Sequence, residues 1–170
     1  TERRMIEAQR RMASAILDYS PDSIVVVNQA GRIERVNDRA LAMFGYPRNA
    51  LVGSHVELLL PERLRSIHFA HRDNFFARPT AREMGSGLAL HGRRADGSEF
   101  PVDVVLGPLT LDSGEFVIAI VRDITDRKAA ALALAKSHRE QAVAEERARA
   151  GEALRRTSET LEKIVQASPV

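Results

Sequence analysis

The chain has 170 residues, of which 44% are hydrophobic and 28% charged, an ordinary composition for a globular protein. Its 25 basic and 23 acidic residues nearly balance, so we expect no nucleic-acid-binding surface. Because it has no cysteine, disulfides, thiolate catalysis and cysteine-ligated zinc are excluded. No apolar run reaches the ~20 residues of a membrane span, and the polar start does not resemble a signal peptide. We therefore expect a cytoplasmic segment without membrane contact.

The first segment, residues 1–19, is predicted to be a linker helix. It contains neither glycine nor proline, and small or apolar residues such as Met5, Met12 and Ile16 recur at steps of three or four. The step Ser20-Pro21-Asp22 then ends the helix.

Residues 20–125 are predicted to form one α+β domain. They hold every glycine except Gly151 and every proline except Pro169. Strands are predicted at 24–27, 32–36, 84–94, 99–111 and 115–123, and helices at 38–44, 49–52 and 62–76. This order favours a five-stranded antiparallel sheet with short helices on one face.

Residues 126–167 are predicted to form one long coiled-coil helix, since they contain a single glycine, no proline and many strong helix formers. Apolar side chains recur with a heptad spacing at Val143, Leu154, Leu161 and Ile164. Polar residues interrupt this seam at Lys136, Glu140, Arg147 and Thr157. We expect a homodimer through the helical linkers, because a solvated single helix would leave the apolar seam exposed.

Four stretches of the chain match motifs of a known domain type, and they occur in the same order as in that domain. They are a helix that ends at Ser20-Pro21, the pair Val36-Asn37-Asp38 and Phe44-Gly45-Tyr46, the turn Ala95-Asp96-Gly97-Ser98, and the exit Asp123-Ile124-Thr125. Together they resemble the PAS (sensory box) domains of bacterial signalling proteins. The resemblance implies a PAS fold in which Asp123 and Thr125 couple the sheet to the outgoing helix, while Thr125 is also a good helix N-cap.

The segment is not predicted to be an enzyme, because no nucleophile with a base, metal cluster or phosphate-binding loop is evident. The resemblance implies a relay module that acts on an output domain elsewhere in the parent, such as a sensor histidine kinase or a diguanylate cyclase. Residues 1–4 repeat the pattern of 125–128, and 161–170 repeat that of 12–22. We therefore expect tandem sensory domains, with a following domain starting at 168–170.

The helix predicted at 62–76 carries the candidate ligand site. In PAS domains this helix borders the ligand pocket, for which we expect the lining residues Ile67, Phe75, Phe76 and Met84. His68 falls where rhizobial haem-PAS oxygen sensors place their proximal iron ligand, although the position of their distal arginine is Leu88. His71 shares the face of His68, but no carboxylate of matching spacing supports a metal site.

Three interpretations remain open for this pocket. The leading one is a signal-relay module that senses a small-molecule ligand, a redox state or a neighbouring domain and needs no cofactor. The second is a haem-binding gas or redox sensor with His68 as the axial ligand. The third is a ligand-free dimerisation spacer whose own side chains fill the pocket.

Overall fold

The computed structural model describes residues 2–84 and 89–168, and the chain divides into two units, residues 1–125 and 126–170. The helices are α1 (Glu2–Asp18), α2 (Asp38–Phe44), α3 (Arg48–Leu51), α4 (Glu62–Ala77) and α5 (Thr125–Ala167), with a 3-10 helix at Val56–Leu59. The strands are β1 (Ser23–Asn28), β2 (Ile33–Val36), β3 (Arg82–Met84), β4 (His91–Arg93), β5 (Glu99–Leu111) and β6 (Gly114–Asp123).

The sheet is antiparallel, with the strand order β2-β1-β6-β5-β3, and β4 also pairs with β5. Strand β3 pairs near Leu106 of β5, whereas β4 pairs near Pro101 of the same strand. One edge position, predicted as a single strand at 84–94, is therefore occupied by two short strands. The predicted five-stranded α+β sheet is confirmed, and residues 85–88, including Leu88, lie outside the described part of the chain.

Strands β1 and β6 pair with each other in the interior of the sheet, and neither is an edge strand. Their sequences are mostly apolar, which is typical of interior strands. Val25, Val26 and Val27 of β1 are all buried, as expected for a strand covered on both faces. In β5 and β6 burial alternates instead, since Phe100 and Val102 are buried and their neighbours less so. The buried side chains form one core with the helices that follow β2.

Asn37, only 1% exposed, connects three elements of the first unit. Its Oδ1 accepts from the backbone N–H of Ile24 at 2.9 Å and of Ala40 at 3.1 Å. Its Nδ2 donates to the carbonyls of Leu17 and Asp22, each at 2.9 Å. One amide side chain thus caps α2, holds the start of β1 and fixes the end of α1.

The long helix predicted after the sheet is confirmed as α5, which has 43 residues. The predicted seam residues are exposed: Val143 by 43%, Leu154 by 70%, Leu161 by 57% and Ile164 by 59%. Helix α1 likewise buries none of its residues. Association of two chains through these helices stays a prediction.

None of the helices within residues 2–84 and 89–168 combines the length and the apolar character that a membrane crossing requires. Of the predicted start of a following domain at 168–170, only Ser168 lies within the described residues.

Candidate functional site

Two adjoining cavities lie between α4, the 3-10 helix and the inner face of the sheet. They enclose about 470 and 620 Å³ of empty space, their open mouths included. Both are lined by Val56, His68, Met84, Leu106 and Ala119. Their largely apolar walls, with a few polar side chains among them, are typical of small-molecule sites in proteins.

The structure brings most of the predicted lining residues to the first cavity. Phe75, Phe76 and Met84 form part of its wall, and Met84 also lines the second cavity. Ile67 does not reach either cavity and is 56% exposed. It precedes His68 by one residue, which rotates its side chain by about 100° around the helix axis, so the prediction that Ile67 lines the pocket is corrected.

A buried carboxylate, Glu57, faces the helix that carries His68. Its side chain is 5% exposed, and its Oε1 lies 2.6 Å from Arg72 Nη1 and 3.0 Å from His68 Nδ1. His68 and Arg72 are four residues apart, which places both on one face of α4. The pairing compensates the charge of a carboxylate that burial would otherwise disfavour.

Sequence reasoning missed Glu57, although a signal was present. It is a single acidic residue in the otherwise apolar run Val56–Leu60, and acidic residues in such runs are almost never buried without a partner. Because His68 Nδ1 is engaged by Glu57, Nε2 is the ring nitrogen left for a ligand. Within the described residues, no group of three His, Cys, Asp or Glu side chains is arranged to hold a metal ion.

The exit junction of the domain is organised by Asp123. Its Oδ1 accepts from the backbone N–H of Thr125 at 2.9 Å and from the Thr125 hydroxyl at 2.5 Å. At the start of α5, Thr125 therefore donates to Asp123 through both its backbone N–H and its hydroxyl. The capping role expected for Thr125 stays a prediction. Burial alone would raise the pKa of Asp123, but hydrogen bonds from Thr125 and Arg94 outweigh it and hold that pKa below its usual value.

Arg94 connects this junction to the cavity wall. Its Nη2 donates to Asp123 Oδ2 at 2.8 Å, and its Nη1 donates to the carbonyl of Met43 at the end of α2. The guanidinium carbon lies 3.8 Å from the centroid of the Phe100 ring, a cation–π contact. Phe100 packs against Phe44 with the ring centroids 5.6 Å apart, and Phe44 lines the second cavity.

These contacts form a continuous path from the second cavity to the first residue of α5. The Phe44 and Phe100 rings pack closely against Gly92, where an added Cβ would lie only 3.0 Å from the Phe100 ring. The sequence analysis named Asp123 and Thr125 as candidate relay residues but did not name Arg94, which is 29 residues before its partner Asp123. No spacing rule links residues that far apart.

Comparison with known proteins identifies relatives of this unit. A family described as "PAS domain" matches residues 21–126. Sensor protein FixL of Bradyrhizobium diazoefficiens is 27% identical over 114 residues, which cover 67% of this chain and 23% of that protein. Cell-division control histidine kinase PdhS of Brucella ovis is 28% identical over 127 residues, which cover 75% of this chain and 12% of that protein.

The fold also matches a solved structure, the PAS domain of an HTR-like protein from Haloarcula marismortui. The TM-score is 0.58 at 26% identity, and the match covers 72% of this chain and 97% of that one. The chain spans less than a quarter of the length of the sensor protein and the histidine kinase, 23% and 12% respectively. The comparisons agree with the resemblance seen in the four sequence stretches.

Proposed function

Because the chain belongs to the PAS domain family, we propose that it is a sensory and dimerisation module that relays a signal from its inner cavities to a separate output domain. The PAS domain is itself non-catalytic, and the names of its relatives support a signalling role. In this proposal residues 20–125 form the sensor, 1–19 and 126–167 are helical linkers, and 168–170 begin a following domain.

The output domain would belong to the same parent chain, in the cytoplasm. The relatives of the chain favour a sensor histidine kinase as the output, because one is named a sensor protein and another a cell-division control histidine kinase. A diguanylate cyclase is the other output that the sequence analysis considered. No catalytic residue is assigned to the chain described here.

The observation that carries the proposal is the path from Phe44 through Phe100 and Arg94 to Asp123. A ligand that moves Phe44 would also move Phe100, which packs against it. The Arg94 guanidinium would then shift, because it contacts both Phe100 and Asp123. Since Asp123 holds the first residue of α5, its displacement changes the starting geometry of that helix. Two packing arrangements of paired α5 helices would then differ in population.

Pairing of α5 is tested by replacing Leu161 with glutamate. We expect the wild-type chain to be a dimer and Leu161→Glu to be a monomer, because a charge in the apolar seam would be buried on association. The matched control is Leu134→Glu, since Leu134 is 58% exposed against 57% for Leu161 but lies off the predicted seam. Sedimentation equilibrium measures the mass; a dimeric Leu161→Glu variant would remove α5 as the main interface.

The relay itself is tested with a single reporter thiol, which the absence of native cysteine makes specific. In a Leu154→Cys background, we expect Arg94→Gln to change the rate of disulfide cross-linking between two chains by at least about twofold. The control is the adjacent Arg93→Gln, because Arg93 pairs with Glu62 of α4 and not with Asp123. Equal rates in all three proteins would contradict the path through Arg94.

A haem-binding sensor is the second candidate, favoured by the position of His68. Its ring lines both cavities and its Nδ1 lies 3.0 Å from Glu57, the carboxylate–histidine arrangement common in metal-ligating histidines. These residues fit an axial ligand in an apolar slot, and haem would supply gas or redox chemistry there. Purified protein would show a Soret absorption band that His68→Ala abolishes, and its absence after haem addition would reject this candidate.

A further inference from the structure

The first cavity has a one-sided set of ionisable groups. Among its described lining residues, those that can carry charge are His68, His71, Arg72 and Arg82, and none is acidic. The remaining wall is aliphatic or aromatic, with Phe75 and Phe76 as its largest members. An apolar cavity whose charged groups share one sign selects ligands of the opposite sign.

Arg72 is the most enclosed of these groups, with a side chain that is 9% exposed. One of its N–H groups is used by Glu57, through Nη1. Its Nε is buried without a partner among the described residues. A guanidinium has five N–H donors, so Arg72 retains unused donors while it forms part of the cavity wall.

Arg82 supplies a positive charge that no described acidic residue balances. Its guanidinium carbon lies 5.3 Å from the Phe75 ring centroid, and no ion pair joins it to a carboxylate within the described part of the chain. By contrast, Arg72 is neutralised by Glu57. With Glu57 counted, the described side chains that line or adjoin the cavity still carry the positive charge of Arg82.

We propose that the first cavity binds a small molecule with a carboxylate head group and an apolar body. The head group would lie between Arg72, Arg82 and His71, because guanidinium groups recognise planar oxyanions by paired hydrogen bonds. The apolar body would pack against Phe76, Met84 and the neighbouring second cavity. This inference rests on the proposed sensory function, for which it names the class of ligand.

The test compares three probes with the same eight-carbon chain and different head groups. Octanoate is expected to bind the full chain and raise its melting temperature, whereas octanol and octylamine bind at least about tenfold more weakly. Isothermal titration measures the affinities. Octyl phosphate is a fourth probe, since tighter binding of phosphate than of carboxylate would overturn the assignment of the head group.

Two substitutions locate the head group. Arg82→Gln is expected to weaken octanoate binding about tenfold, while the control Arg78→Gln, an exposed arginine outside both cavities, leaves it unchanged. Glu57→Gln is expected to strengthen octanoate binding, because Arg72 would lose its counter-charge. Circular dichroism confirms that each variant is folded, and if Glu57→Gln is not, the Arg82 and Arg78 pair decides.

The outcomes separate this inference from the proposed function. Equal binding of octanoate and octanol, failure of all probes to bind, or an unchanged affinity in Arg82→Gln would each overturn the carboxylate site. The cross-linking difference between Arg94→Gln and Arg93→Gln is measured without ligand, so it supports or rejects the relay independently. A relay without octanoate binding would leave the proposed function standing and remove only the ligand class.

Discussion

Replacing Asn37 with alanine is expected to lower the free energy of unfolding of the first unit by about 4 kcal/mol. The substitution removes four hydrogen bonds in one step, two accepted by Oδ1 and two donated by Nδ2. Three backbone groups would lose their side-chain partner: the N–H of Ile24 and the carbonyls of Leu17 and Asp22. Water has little access to these groups, because the site of residue 37 is buried. Water can replace the lost hydrogen bonds only if the backbone around residue 37 moves apart, so we expect the variant to lose stability.

The effect is measured by urea unfolding, followed at the amide protons of β1 so that α5 does not contribute to the signal. The matched control is Asn49→Ala, since Asn49 is an exposed residue of α3 and alanine is the better helix former. It should change stability by no more than about 0.5 kcal/mol. A similar loss in both variants would show that Asn37 does not join the three elements as described.

Asn37→Asp separates the two halves of this network. Aspartate keeps the acceptors for Ile24 and Ala40 but has no donor for the carbonyls of Leu17 and Asp22. We expect the end of α1 to detach, with increased amide exchange in α1, while α2 retains its cap. Protection of α1 equal to that of the wild-type chain would contradict this assignment.

Much of the fold follows from local sequence patterns. The β-branched run of β1, the alternation in β5 and the segment without proline after Thr125 each determine one element through spacing or propensity alone. The 3-10 helix at Val56–Leu59 was not predicted, because a segment of four residues is too short to show a period that distinguishes helix from strand. Its conformation depends on packing against the core.

The site was less predictable than the fold, because a helix without a clear apolar period does not show which of its side chains face the cavity. Helix α4 has apolar residues on more than one side, since Phe69 is 44% exposed while Phe75 is buried, so its sequence does not define which face is inward. His68, Phe75 and Phe76 were assigned to the pocket, but Ile67 was placed there in error. The partners of His68 and Arg94 come from elements distant in sequence, and only the tertiary structure brings them together.

A second substitution, Gly31→Ala, is expected to destabilise the first unit by about 3 to 5 kcal/mol. Gly31 lies in the turn between β1 and β2 with φ of +79°, a conformation that costs an L-residue roughly 1–2 kcal/mol. In addition, a Cβ at this position would lie 1.8 Å from Arg72 Nη1. Because the same Nη1 atom forms the 2.6 Å contact with Glu57 Oε1, we expect the displacement of Arg72 to weaken that contact and to leave the buried carboxylate less compensated.

Gly53→Ala is the matched control for the energetic cost of placing an L-residue at a positive φ. Gly53 has a similar φ of +89°, but an added Cβ would meet nothing within 4 Å. It should therefore cost only about 1–2 kcal/mol in the same urea experiment. The difference between the two variants reports the displacement of Arg72.

The cause of that difference is isolated by repeating both substitutions in a Glu57→Gln background. Without the carboxylate, moving Arg72 no longer leaves a buried charge unpaired, so the extra cost of Gly31→Ala over Gly53→Ala should shrink to less than half. If the extra cost is the same in both backgrounds, steric displacement alone explains it. The Glu57–Arg72 pair would then contribute little to the stability of this region, which would depend on its apolar packing instead.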